Sequence, residues 1–144
     1  MTVDETSADD YFRRFGTSYR WLVTVNVMVG AIAMSEPDAG SDLRGIRTKA
    51  TSNGDYFQLN GSKTFITNGY LAEIVLVFAK MDTPEHDGRF SVFIVEPNKH
   101  AGFSVGNRLK KIGLKAQDTS ELFFDNIELT NADILGENPG QGLY

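Results

Sequence analysis

Tyr56-Phe57-Gln58-Leu59-Asn60-Gly61-Ser62-Lys63-Thr64-Phe65-Ile66-Thr67 is the stretch on which the fold turns. Its two halves are extended in character, and Asn60-Gly61 lies between them. An Asn-Gly pair between two extended runs favours a type I′ turn, because both central residues must take positive φ. The stretch therefore predicts a β-hairpin. Asn53-Gly54 marks a further tight turn just before it.

The pattern continues outward from there. Ile74-Val75-Leu76-Val77-Phe78-Ala79 is an unbroken apolar run of strand length, as expected of a strand buried on both faces or at a sheet junction. Asp82 to Gly88, with Pro84, reads as a polar loop. Phe90 to Val95 is the next strand, ended by Glu96-Pro97-Asn98. Gly102 to Val105 makes a short strand. Ser120 to Leu129 makes one strand, or two broken at Asp125-Asn126. The tail with Gly136, Pro139, Gly140 and Gly142 reads as loop. Six to eight short strands at roughly ten-residue spacing predict an all-β fold, a small barrel of two packed sheets. No amphipathic helix separates the strands. Residues 1–29 form a different, irregular segment. Its start is polar and acidic, and Trp21 to Val27 is β-branched. The division expected is therefore 1–29 and 30–144.

Composition narrows the function. The 144 residues suit one domain, and 41% hydrophobic with 23% charged residues fits a globular chain rather than a disordered one. A net charge of −5 without a basic run offers no footprint for nucleic acid or an anionic membrane surface. The absence of Cys removes disulfides, thiolate nucleophiles and Cys-based metal sites. Trp21 to Met34, preceded by Arg13, Arg14 and Arg20, has some look of a signal peptide. The acids at Asp4, Glu5, Asp9 and Asp10 argue against that, and the run is too short and polar for membrane insertion. His86 and His100 fall in loops and read as surface residues, no metal site can be assembled, and no Ser sits in a nucleophile elbow. The Gly40 to Gly45 spacing resembles a phosphate loop, but Ile46-Arg47 follows where Lys and Ser/Thr belong. Asn60-Gly61-Ser62 matches a glycosylation sequon, but the turn explains it better.

Two stretches carry chemistry. In Ala33-Met34-Ser35-Glu36-Pro37-Asp38-Ala39-Gly40-Ser41-Asp42, Pro37 pushes Glu36 out of helical space and Gly40 permits close backbone approach. Ser35, Ser41 and successive amides can line an anion- or ring-binding turn; a polar surface loop is the other reading. In Phe65-Ile66-Thr67-Asn68-Gly69 an aromatic ring and a hydroxyl stand two apart, on one face of a strand. That suits a flat heteroaromatic ligand, or simply a strand with an exposed Thr.

Together these stretches resemble the middle domain of the acyl-CoA dehydrogenase family. That family shows S/T-E-P-x-A-G-S-D and, about twenty residues on, N-G-x-K-x-W/F-I-T-N-G; here these are Ser35 to Asp42 and Asn60 to Gly69. Lys111 to Phe124 resembles a third family block, and Ile134-Leu135-Gly136-Glu137 its closing I/L-L-G-E. The resemblance implies FAD as cofactor and an acyl-CoA thioester as substrate, oxidised between its α and β carbons with hydride passing to flavin N5. By the same resemblance, the flavin contacts are Ile32, Ala33, Met34, Ser35, Glu36, Pro37, Asp38, Ala39, Gly40, Ser41, Phe65, Ile66 and Thr67. Ser35 would bond the pyrimidine side of the ring, Thr67 would lie near N5, and Ser41 would also touch the CoA part. Phe65 stands where the family more often has Trp, which keeps a stacking face without the indole donor. The family's catalytic carboxylate lies in a helical bundle after this domain, and another helical domain precedes it. No acid here, Glu36 and Glu121 included, is therefore expected to be the base, and the chain alone is expected to be inactive. The complete enzyme is expected to bring helical domains or a homo-oligomer, in the cytoplasm or, in a eukaryote, the mitochondrial matrix. A non-catalytic flavin-binding module and a related flavin oxidase or monooxygenase are the alternatives.

Overall fold

The computed structural model describes residues 28–136 and 138–142. The readings of Trp21 to Val27, and of the rest of the N-terminal segment before residue 28, lie outside the described residues.

Seven strands form one mixed sheet: β1 (Gly30–Ala33), β2 (Lys49–Asn53), β3 (Tyr56–Thr67), β4 (Ile74–Asp82), β5 (Phe90–Val95), β6 (Phe103–Arg108) and β7 (Thr119–Leu129). The all-β expectation and the strand number hold. The sheet is not closed: its hydrogen-bonded path ends on β5 at one side and on β6 at the other. Among the described residues there is no α-helix, only two short 3₁₀ turns.

β4 organises one half of the sheet. Val75 and Val77 enter the main core, while Ile74 and Leu76 join a second apolar cluster on the other face. This explains the unbroken apolar run. One edge of β4 pairs with β5. Its other edge carries β1 in parallel from Gly30↔Ile74 to Ala33↔Val77, and then β2 in parallel from Lys49↔Lys80 to Thr51↔Asp82. β1 and β2 thus lie end to end in one column of the sheet, and the chain from residue 34 to 48 loops out between them.

The predicted hairpin at Asn60-Gly61 is not there. β3 runs without a turn from Tyr56 to Thr67. The hairpin turn is one signal earlier: Asn53 pairs with Tyr56 across Gly54-Asp55, with Gly54 at φ 74. Positive φ at the first central residue alone matches a type II′ turn. Asn60-Gly61 instead faces a bulge in β7. Between the pairs Leu59↔Ile127 and Gly61↔Phe124, Asn60 alone opposes Asp125 and Asn126. Asn126 takes φ 52, and its amide donates to Asn60 Oδ1 at 2.9 Å. The Asp125-Asn126 signal is the same bulge seen from the other strand, so β7 is one strand. Gly61 is needed for closeness as well: a Cβ there would sit 2.7 Å from Thr48 Cα.

A second bulge lies in β3 itself. Between Lys63↔Leu122 and Ile66↔Ser120, Thr64 and Phe65 together oppose Glu121. Phe65 takes φ 58, uncommon for a bulky side chain. The bulge reverses the facing of the strand, so that Lys63, Thr64 and Ile66 are buried while Phe65 and Thr67 are exposed.

Candidate functional site

The loop after β1 and the end of β3 meet. Thr64 N donates to Ser35 O at 2.9 Å, and Ser35 Oγ donates to Thr64 O at 2.7 Å. These two bonds clamp the first motif to the second. Beside the clamp opens a cavity of about 580 Å³, a size typical of small-molecule and cofactor sites. Its apolar wall includes Ile32 from β1 and Ile74 and Leu76 from β4. Phe65, two-thirds exposed, lines it as well.

Of the residues singled out in the sequence, Ile32, Met34, Ser35, Gly40, Ser41, Phe65, Ile66 and Thr67 line this cavity. Ala33 and Ala39 are buried in the protein. Asp38 is exposed and pairs with Arg47 at 3.4 Å. Pro37 is exposed and is not part of the wall. Ile66 is itself buried, so it contributes mainly backbone. Met28, Gly30, Ala31, Leu43, Asn68, Ile74 and Leu76 complete the wall, and sequence reading assigned none of them as a ligand contact. The unbroken apolar run of β4, with apolar residues on both faces, was the available signal for Ile74 and Leu76.

Glu36 turns away from the cavity. Its Oε1 accepts from Thr48 N at 3.0 Å and from Thr48 Oγ1 at 2.6 Å; Oε2 accepts from Arg47 N at 2.5 Å. Lys63 Nζ lies 3.0 Å from Oε1 and donates to Met34 O at 2.9 Å. The Lys63 side chain is fully buried. Through Met34 and Thr48 this ion pair links the residue after β1 to the residue before β2. Burial alone would raise the Glu36 pKa, but the Thr48 hydroxyl, the two amides and Lys63 outweigh it and hold the carboxyl below its ordinary value. Burial lowers Lys63, and Glu36 opposes that shift. The pair was not legible beforehand, since the sequence reading gave Lys63 no facing and no partner.

The turn after Thr67 is held by Asp118, the residue just before β7. Asp118 O accepts from Asn68 N at 3.1 Å, and Asp118 Oδ2 accepts from Tyr70 N at 2.8 Å. His100 is a turn residue, its Nδ1 3.0 Å from Glu96 O. Among the described residues no cluster of three or more His, Asp or Glu is arranged for a metal ion, and no helix is long and apolar enough to cross a membrane.

Chemically, the cavity offers an apolar slot with polar groups at one rim. The Ser35 hydroxyl proton is committed to Thr64, so its oxygen is left as an acceptor. The Thr67 hydroxyl has no partner among the described residues. This set suits a flat ring with both donor and acceptor edges.

Comparison with known proteins agrees with that geometry. Residues 31–127 match the family profile described as acyl-CoA dehydrogenase, middle domain. The long-chain specific acyl-CoA dehydrogenase of Sus scrofa mitochondria is 49% identical over 126 residues, which cover 85% of this chain and 28% of that protein. The crystal structure of an acyl-CoA dehydrogenase from Geobacillus kaustophilus superposes with TM-score 0.74 at 43% identity, over 94% of this chain and 37% of that one. A glutaryl-CoA dehydrogenase from Mycobacterium smegmatis, in complex with FADH2, gives TM-score 0.74 at 32% identity, over 92% and 34%. This chain therefore spans under two-fifths of the length of each of these relatives. From the matched profile, the relatives and the shared sheet together, the chain belongs to the acyl-CoA dehydrogenase family, an oxidoreductase family, and carries its middle domain.

Proposed function

We propose that residues 30–144 form an FAD-holding domain of a protein that oxidises acyl-CoA thioesters. The observation that carries this reading is the meeting of the Met34–Ser41 and Phe65–Asn68 segments around one apolar cavity. When bound there, FAD supplies the hydride acceptor of the reaction. Ile32 and Phe65, both exposed on the cavity wall, would flank the ring. Ser35 would meet the pyrimidine edge, its oxygen accepting because its proton is held by Thr64. Thr67, whose hydroxyl has no partner among the described residues, would donate towards the redox edge of the ring, and Ser41 would contact the CoA portion of the thioester. Donors fixed before the ring arrives stabilise charge that grows on it during reduction.

A titration of the 144-residue chain with FAD, followed by flavin fluorescence, tests the reading. Saturable binding is expected, much weaker than in complete family members. Thr67→Val removes the hydroxyl while keeping shape, and should weaken binding about fivefold, the value of one hydrogen bond. Absence of saturable binding, or Thr67→Val binding as tightly as the parent, would overturn it.

A further inference from the structure

Lys63 lies outside the cavity wall, yet it bonds directly to the segment that forms it. Its ammonium donates to Met34 O from the buried side of the sheet. A trans peptide plane fixes the C=O of one residue and the N–H of the next in opposite directions. The Met34–Ser35 peptide is trans. With Met34 O drawn towards Lys63, the Ser35 N–H points away from Lys63, and Ser35 lines the cavity together with Ile32, Phe65 and Thr67. Among the described residues, Ser35 N donates to no backbone carbonyl, although its O and Oγ are both engaged.

We infer that Lys63 is a positioning residue: through Met34 O it turns the Ser35 amide outward as a preset donor for an acceptor atom of the bound ring. Ser35 then presents a matched pair, N–H as donor and Oγ as acceptor, which fits the alternating carbonyl and N–H edge of a pyrimidine-like ring. The role of Glu36 is separate. It pairs with Lys63 and ties the loop ends through Arg47 and Thr48, and its carboxylate bonds are to these residues and not to Met34. The inference rests on the flavin reading for the identity of the ring, and on peptide geometry alone for the direction of the amide.

The two variants Lys63→Met and Glu36→Gln in the 144-residue chain separate these roles. Amide NMR reads the Ser35 N–H directly, first by its exchange rate with water and then by its shift on adding FAD. In the parent and in Glu36→Gln, where Lys63 can still donate to Met34, the Ser35 amide should exchange rapidly and shift with FAD. In Lys63→Met the FAD-induced shift should vanish and FAD binding weaken about fivefold to tenfold, with the remaining resonances still dispersed. Should Lys63→Met not fold, Lys63→Met combined with Glu36→Gln removes the unpaired charge and carries the same expectation. A Ser35 amide as protected in the parent as Ala33, or an FAD response undiminished without Lys63, overturns the inference. FAD that shifts no cavity amide in the parent overturns the flavin reading instead, and the exchange rate still decides which way Ser35 N–H points.

Discussion

Glu36 and Lys63 are two charges that the sheet encloses almost completely. An enclosed pair is worth little against an apolar substitute, but removing one partner is costly, because the other is left without compensation. Lys63→Met should therefore destabilise the protein by about 3 kcal/mol, and adding Glu36→Gln should recover part of it; urea midpoints measure both. The pH dependence has a definite sign. Glu36 sits below its unfolded value of 4.5, so its contribution is full above that pH and is lost as pH falls through its lower folded value. Lys63 also sits below its unfolded value of 10.5, so stability rises with pH between its folded value and 10.5. Glu36→Gln should flatten the acid limb of a thermal melt series. An unchanged acid limb would mean that other carboxylates set it.

At the scale of the elements, the strands with plain alternation or unbroken apolar runs, such as Phe90–Val95 and the body of Ile74–Asp82, were legible because burial on a sheet is a local pattern. The two motif segments were legible too, and they do share one cavity. What the sequence reading got wrong was Asn60-Gly61. An Asn-Gly pair reports backbone freedom, and freedom serves a bulge or a close approach as readily as a turn. Which one it serves depends on Thr48 and on Asp125-Asn126, both far away in the chain. The bulge at Thr64-Phe65 was invisible for the same reason, and with it the inward facing of Lys63. A direct test is Gly61→Ala. Its Cβ would meet Thr48 backbone at φ 153, and a loss of about 2 kcal/mol or more is expected in urea unfolding. A neutral result would show that β2 and β3 can part there without penalty.

Over the whole molecule, the wall of the cavity contains no Asp, Glu or His among the described residues. Removal of an α-proton from a thioester needs a base within reach of the cavity. Glu36, next to Ser35 of the wall, is turned towards Lys63 and held by donors on both oxygens. The chain by itself should thus hold flavin and leave acyl-CoA untouched. Incubation with FAD, acyl-CoA and a dye acceptor should give no reduction above the buffer rate. Sustained turnover would place a base on this chain.

The end-to-end arrangement of β1 and β2 along β4 has a consequence for variation. Because each piece is registered on β4 independently, the length of chain between them is free of the ladder. Residues could be added or removed between Pro37 and Gly45 without shifting a single strand pairing, provided that Ser35 stays opposite Thr64 and Glu36 stays beneath Thr48. A binding loop can thus change length from within this sheet while the ladders on both sides of it stay in register.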